Sequence, residues 1–123
     1  MPIIGSGTNF VSSIHTDDVG TAVAAALSVA PGTYNVSDDE PLPQREYLQH
    51  AADALGAPAP RRMAYPVARM VLGKLAVMAS VSQRVSSAHF REAAGWEPRF
   101  RSAAEGWPDV VRRQEQALTA VAR

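Results

Sequence analysis

The sequence predicts an α/β fold in which helices dominate, with two short strands and about five helices. Three observations lead to this expectation: 46% of the 123 residues are apolar, several segments carry apolar residues at helical spacing, and only short segments alternate or are rich in strand formers. Because two isolated strands cannot form an independently stable sheet, the pattern also indicates the last segments of a larger α/β sheet.

The first elements are a buried extended segment at Ile3-Ile4 and a strand predicted from the alternation over 10–15. A helix is predicted over 17–29, where small apolar residues recur at helical spacing. Thr16-Asp17-Asp18 offer this helix an N-cap oxygen and negative charge at the positive end of its dipole. The segment TYNV at 33–36 is rich in strand formers and predicts the second strand.

Four further helices follow, and the apolar period predicts them over about 43–55, 67–79, 87–94 and 102–121. A glycine just past the end marks the stop of the first and the third of these. Gly73 weakens the second by up to about 1 kcal/mol relative to alanine. Ser102 and Glu105 form a capping box for the last helix, and Pro108 predicts a kink or a restart within it.

Charge is balanced in total but unevenly distributed. Twelve basic and twelve acidic side chains give a formal net charge of zero, which argues against a nucleic-acid partner. Between Ala54 and Arg91 the chain has six bases and no acid, whereas seven acids and one base precede that stretch. Such a run is usually a solvated face, and the alternative is that it lines a cleft for a phosphate or carboxylate.

The chain contains no cysteine, which excludes a disulfide scaffold, a thiolate metal site and a cysteine nucleophile. The segment MPIIGSGTNF lacks a basic region followed by a long apolar core, and no run of about eighteen uncharged apolar residues occurs elsewhere. We therefore expect a cytoplasmic protein without a membrane partner.

Three segments, read in order, resemble a known family. They are GSGTNFVSSIHTDDVGTAVAAAL, GTYNVSDDEP with the following REYLQHAADALGAP, and SSAHFREAAGWEPRF. From Pro2 to about Val111 the chain resembles the extended short-chain dehydrogenase/reductase superfamily, the NAD(P)-dependent epimerase/dehydratase family. The resemblance implies a Rossmann half that carries NAD or NADP, followed by a mostly helical substrate-binding part. This chain is similar only to the C-terminal part, with the last sheet elements at 1–36 and a helical substrate-binding subdomain at 37–123.

Two motifs of that family are missing, so the nucleotide-binding half is absent from this chain. No GxxGxxG follows a strand, and no YxxxK occurs, since the residues four positions after Tyr34, Tyr47 and Tyr65 are Asp38, Ala51 and Arg69. In the family, that tyrosine transfers the proton and that lysine holds the ribose. We expect no catalytic, cofactor-binding or metal-binding residue in this chain. The expected partners are a small-molecule substrate and either a Rossmann half on another chain or a second copy of this one.

Substrate contacts are assigned to Arg84 first, and then to Ser82, Gln83 and Phe10. Arg84 lies in SVSQRVSS within the acid-free stretch, and its guanidinium can act as a bidentate donor to an anion or a carbonyl. A surface or salt-bridge role is the alternative. Many nucleotide-sugar members of the family have an arginine at the position of Val11, so Val11 argues against a nucleotide-diphosphate-sugar substrate.

Other chemically capable residues have a structural interpretation that we prefer. His15 could be a base, but it follows a strand, where its ring can bond backbone. Asp17-Asp18 could hold a metal, but helix capping explains them. The acidic run 38–40 could bind a cation such as Mg²⁺, and we expect a solvated or Asx-type turn instead. Trp96 and Trp107 are expected to be core anchors.

The sequence therefore predicts a chain that contributes substrate binding to the oxidation, reduction or epimerisation of a sugar-like or carbonyl substrate and is not catalytic alone. The alternative is a non-enzymatic helical interaction module that binds a partner through the apolar face of helix 17–29. A third hypothesis is a noncatalytic relative that senses NAD(P), which would require cofactor binding by this chain.

Overall fold

The computed structural model describes residues 2–121 as an α/β chain with six helices and four two-residue strands. The helices are α1 (Thr16–Ala26), α2 (Gln44–Ala54), α3 (Tyr65–Leu72), α4 (Lys74–Ser80), α5 (Ala88–Ala94) and α6 (Ala103–Val121). The strands are β1 (Ile3–Ile4), β2 (Phe10–Val11), β3 (Leu42–Pro43) and β4 (Arg62–Met63). The predicted fold class, α/β with helices dominant, is confirmed, with one helix and two strands more than expected.

The strands form two separate two-stranded ladders. β1 pairs in parallel with β4, with Ile3 opposite Arg62. β2 pairs antiparallel with β3, with Phe10 opposite Pro43. Both ladders connect segments that lie on either side of α1 in the sequence. The division of the chain at residue 36 stays a prediction.

The strand predicted over 33–36 is wrong, because this segment is irregular in the structure. A strand needs a hydrogen-bonding neighbour, and among residues 2–121 no strand pairs with this segment. Tyr34 instead packs edge-on against Phe90, with ring centroids 5.6 Å apart, and its hydroxyl donates to the Ala30 carbonyl at 3.1 Å. The strand predicted over 10–15 is likewise reduced to β2.

Helix α1 begins one residue before its predicted start, and its N-cap differs from the prediction. The cap is His15 rather than an oxygen of Thr16, Asp17 or Asp18, and its Nδ1 accepts the backbone N–H of Asp17 at 3.2 Å. A neutral imidazole nitrogen can do this because it carries an acceptor lone pair. The helix ends at Ala26, three residues before the predicted end.

The single helix predicted over 67–79 is two helices, α3 and α4, separated by Gly73. Gly73 has φ 58° and ψ −125°, a conformation that residues with a Cβ rarely adopt. The apolar spacing continues through the break, and for this reason the sequence pattern predicts one helix.

Replacing Gly73 with alanine should lower the free energy of unfolding by about 1–3 kcal/mol, because the Cβ strains this backbone conformation. Gly20, an exposed residue within α1, provides the matched control, since a Cβ there contacts nothing within 4 Å. Gly20→Ala should stabilise the chain by up to about 1 kcal/mol through helix propensity. Urea denaturation followed by circular dichroism measures both. A change of the same sign in the two variants would contradict the role given to Gly73.

The remaining helices lie close to their predicted bounds. α2 begins after Pro43, and α5 ends at Gly95, which has φ 61°. α6 continues through Pro108 as one helix, so the predicted restart is wrong. The predicted capping box would have Glu105 accept the backbone N–H of Ser102. In the structure Glu105 Oε2 instead accepts the backbone N–H of Arg101, one residue earlier, at 2.9 Å. Within residues 2–121, no helix combines the length and the apolarity needed to cross a membrane.

Buried apolar residues form two small clusters. One joins β1 to α3 and α4. The other joins α1 to α5 through Ala22, Phe90 and Trp96. The indole N–H of Trp96 donates to Thr21 Oγ1 at 2.9 Å, so this tryptophan is the predicted core anchor. Trp107 is half-buried and packs edge-on against Tyr47 of α2, with ring centroids 5.8 Å apart.

Candidate functional site

The four predicted substrate contacts lie together on one surface, although 72 positions separate Phe10 from Ser82. The segment after α4 runs beside β2. Phe10 donates its backbone N–H to Ser82 Oγ at 3.0 Å, and the Gln83 N–H donates to the Phe10 carbonyl at 2.9 Å. Ser12 Oγ accepts the Val85 N–H at 2.9 Å and extends the contact. The role of this surface in substrate binding stays a prediction.

Arg84, the fourth of these residues, stacks on the ring of Phe10. Its guanidinium carbon lies 3.6 Å from the ring centroid, a cation–π geometry. The stack fixes the plane of the guanidinium and leaves N–H donors available at its edge. The side chain is exposed, and within residues 2–121 it forms no ion pair.

An open groove lies next to Arg84 and contains two further arginines. Both have carboxylate partners: Arg91 lies 2.5 Å from Asp39, and Arg101 lies 3.7 Å from Asp39 and from Glu40. Arg84 is therefore the guanidinium of this groove that has no carboxylate partner among the described residues. The groove is lined by three arginines and three acidic side chains, so its formal charge is balanced and Arg84 supplies the N–H donors that these carboxylates leave unpaired.

The acidic turn beside this groove is not the solvated turn that was expected. Asp38 is only 5% exposed. Its backbone N–H donates to the Ser13 carbonyl at 2.8 Å, and its Oδ2 accepts the Ser13 hydroxyl at 2.6 Å. Burial raises the pKa of Asp38, and the hydrogen bonds from Ser13 oppose that shift only in part. Asp39 and Glu40 are held by arginines, which explains them without a bound cation.

Asp18 has a structural role that the sequence pattern does not identify. Its side chain is 1% exposed, and its two oxygens accept the backbone N–H groups of Arg99 at 2.9 Å and Phe100 at 3.0 Å. This carboxylate therefore holds the segment between α5 and α6 against α1. Each carboxylate oxygen thus has a backbone partner, so neither metal binding nor acid–base chemistry is needed to explain Asp18.

His15, Asp17 and Asp109 have metal-ligand atoms within 4.8 Å of one another. Two arginines already neutralise these carboxylates. Arg113 contacts Asp17 at 2.5 Å and Asp109 at 2.6 Å, and Arg112 also pairs with Asp109. Because His15 Nδ1 accepts a bond in the α1 cap, its proton is on Nε2, 3.4 Å from Asp109. We assign this cluster to joining α1 and α6.

The N-termini of the three longest helices, α1, α2 and α6, do not suit the pyrophosphate of a dinucleotide. A pyrophosphate is bound at a helix N-terminus that follows a glycine turn. The first turn of α1 instead carries Asp17 and Asp18, and those of α2 and α6 carry Glu46 and Glu105. These carboxylates would repel a phosphate group.

No protein-family model matches the chain. A curated Streptomyces protein, the 3-diazoavenalumate denitrifying reductase, is 38% identical to it over 116 residues, which are 93% of this chain and 37% of that protein. The chain thus spans little more than a third of the length of this relative.

Two solved structures share the fold. A conserved protein of unknown function from Silicibacter pomeroyi is 25% identical, with a TM-score of 0.77 over 94% of this chain and 42% of its own. The human epimerase family protein SDR39U1 with NADPH is 24% identical, with a TM-score of 0.78 over 90% of this chain and 38% of its own. The predicted resemblance is confirmed: this chain has the fold of the C-terminal part of the NAD(P)-dependent epimerase/dehydratase proteins.

Proposed function

We propose that this chain forms the substrate-binding side of an NAD(P)-dependent reductase or epimerase and that it is not catalytic by itself. Its substrate is a small molecule with a carbonyl or an anionic group, which Arg84 contacts from its stacked position on Phe10. Ser82 and Gln83 hold the segment that carries Arg84 against β2 and line the same surface.

The observation that carries this proposal is the state of Arg84. A guanidinium that is fixed by stacking and lacks a carboxylate partner is ready to form charge-assisted hydrogen bonds to a ligand. The neighbouring arginines of the groove are neutralised by Asp39 and Glu40. These paired arginines have a structural role in the groove, and Arg84 is the arginine that contacts the substrate.

Reduction is the reaction that we favour. The curated Streptomyces relative, which matches 93% of this chain, is a reductase. The human neighbour holds NADPH, in line with a nicotinamide cofactor in the complete enzyme. The cofactor, and the tyrosine and lysine that the family resemblance implies, would then come from a Rossmann half outside these residues.

Helix α1 supplies a surface suited to that Rossmann half. Val19, Val23 and Leu27 recur at helical spacing and are 41%, 61% and 87% exposed. An exposed apolar stripe of this kind favours burial against another surface. We propose that residues 1–36 complete the sheet side of the assembly and that 37–123 form the substrate-binding side.

The same stripe is the specific observation that favours the second candidate, a non-enzymatic interaction module. In that case the chain would form a stable homo-oligomer in the absence of any ligand or Rossmann half. Sedimentation of the purified chain, with Val23→Glu as the variant that interrupts the stripe, distinguishes the two. A ligand-independent oligomer that this substitution dissolves would favour the interaction module.

Arg84→Ala should weaken substrate binding by about ten- to a hundredfold, because a hydrogen bond to a charged group contributes about 1.5–3 kcal/mol. Calorimetric titration of the 123-residue chain with 3-diazoavenalumate, the substrate in the relative's name, measures the effect. Arg84→Lys should fall between wild type and alanine, since lysine keeps the charge and loses the planar fork.

Arg69→Ala is the matched control for this experiment. Arg69 is an exposed arginine of α3 in the same acid-free stretch, and it is not part of the groove. Its replacement should leave the affinity unchanged. Equal losses in Arg69→Ala and Arg84→Ala would mean that general positive charge, and not the stacked guanidinium, attracts the ligand.

Millimolar NAD(H) or NADP(H) should leave the melting midpoint of this chain unchanged. A ligand that binds the native state raises the midpoint by mass action, because it increases the free energy of unfolding by about 2.7 kcal/mol at a hundredfold excess over its dissociation constant. The glycine turn that would hold the pyrophosphate is missing. Thermal melts followed by circular dichroism test this, and a saturable rise of the midpoint with either cofactor would favour the NAD(P)-sensing hypothesis.

A further inference from the structure

A pocket of about 170 Å³ lies between the start of α1 and helices α2 and α6. It is separate from the groove of Arg84, and Asp38 contributes to the walls of both. An apolar cavity of about 150 Å³ can hold benzene, so this pocket has room for one small aromatic ring. None of the substrate contacts assigned above lines it.

Two aromatic pairs contribute to the wall of this pocket. Tyr47 of α2 and Trp107 of α6 meet edge to face, with centroids 5.8 Å apart and planes at 69°. His15 and Phe100 lie with centroids 4.1 Å apart. Gly106 lies in the wall beside the His15 ring, and a Cβ there would lie 3.4 Å from His15 Cδ2. Such walls favour a flat ligand, and their ring faces attract a cation.

The polar group of the pocket is Asp38. Its Oδ2 accepts the Ser13 hydroxyl, but its Oδ1 is fully buried and, within residues 2–121, has no hydrogen-bond partner. Burial raises the pKa of Asp38, and burial together with the Asp38 charge raises the pKa of Tyr47. An ionised carboxylate that is buried and short of donors is unfavourable, so a positive charge in the adjacent pocket stabilises it.

We propose that this pocket binds a small flat organic cation, whose charge lies near the Asp38 carboxylate while its ring lies against Tyr47 and Trp107. The ligand class is an arylamidine or arylammonium ion of one ring. Anions of the same shape are excluded, because the pocket would place them against the Asp38 carboxylate. The site is independent of the proposed reductase function.

Benzamidine is the probe for the cation, and benzoate is its counterpart of equal shape and opposite charge. The two tryptophans of the chain give an internal control in a two-dimensional NMR titration. Benzamidine should move the indole N–H resonance of Trp107 to saturation and leave that of Trp96, which is bonded to Thr21, in place. Benzoate should move the Trp107 resonance only at concentrations at least about tenfold higher, a difference of about 1.4 kcal/mol.

Asp38→Asn should weaken benzamidine binding by about tenfold, a loss of about 1.4 kcal/mol. Glu92→Gln removes an exposed carboxylate of α5 that does not line the pocket and should leave the affinity unchanged. If Asp38→Asn does not fold, the comparison of benzamidine with benzoate on the wild-type chain decides alone. Three results would overturn the proposal: no saturable shift at Trp107, equal binding of the two probes at Trp107, or parallel shifts of both tryptophans.

Discussion

Replacing Asp18 with alanine should lower the free energy of unfolding by about 3–5 kcal/mol, because it removes two hydrogen bonds to a buried charged acceptor and leaves two backbone donors unpaired. The carboxylate is 1% exposed and accepts the N–H groups of Arg99 and Phe100. Urea denaturation of the purified chain measures the loss. The substitution should also disturb the pocket between α1, α2 and α6, here called the aromatic pocket, because this carboxylate positions Phe100, which packs on His15.

Asp18→Asn tests the need for two acceptor oxygens at nearly constant shape. The amide keeps one acceptor oxygen and replaces the other with an N–H donor, which would face a backbone N–H. Its destabilisation should therefore be close to that of alanine or exceed it. Glu115→Ala removes an exposed carboxylate of α6 that forms no ion pair among the described residues, and its effect should stay within about 0.5 kcal/mol. Equal small effects in all three variants would mean that the segment after α5 is held by other contacts.

The helices that the sequence predicts well are those whose signals are local. α2 follows Pro43, and α5 stops at Gly95, which has a positive φ. These residues act within one or two turns, so the chain around them is enough to fix the bounds. Gly73 is also a local signal, but a glycine within a helical pattern either weakens or ends a helix, and the pattern alone does not decide between the two.

The features that the sequence does not predict depend on residues far apart in the chain. Strand formers at 33–36 remain irregular because pairing requires a neighbouring strand. The local pattern predicts that Asp18 is a capping carboxylate, yet its hydrogen-bond partners lie 81 and 82 positions away. Asp38 belongs to an acidic run typical of a solvated turn, and only its contact with Ser13 buries it.

The candidate functional regions also include one that the sequence predicts and one that it does not. Arg84 is predicted as the arginine of the acid-free stretch, with Ser82, Gln83 and Phe10 as weaker candidates. The structure brings these residues together through hydrogen bonds between β2 and the segment after α4. The aromatic pocket has no counterpart in the sequence pattern. It arises where α2 packs against α6, and Tyr47 and Trp107, 60 positions apart, have no local sign of their contact.

Replacing Phe90 with alanine should lower the free energy of unfolding by about 3–5 kcal/mol, the usual loss for a buried phenylalanine. The ring is 1% exposed and packs against Trp96, with centroids 5.6 Å apart, and against Tyr34. A domain is typically stable by only about 5–15 kcal/mol, so a loss of this size leaves little margin. Thermal and urea unfolding, followed by the near-ultraviolet signal of Trp96, measure it.

This substitution also links the core to the proposed substrate surface. Arg91, the next residue of α5, pairs with Asp39 in the groove, and the segment that carries Arg84 leads into the same helix. Phe90→Leu keeps most of the buried volume and should cost less than alanine, while Glu92→Ala on the exposed side of α5 should change stability by less than about 0.5 kcal/mol. If Phe90→Ala lowers the free energy of unfolding as predicted, the affinity of the ligand that Arg84 binds should fall as well. Retained affinity in a destabilised variant would mean that β2, and not α5, fixes the position of Arg84.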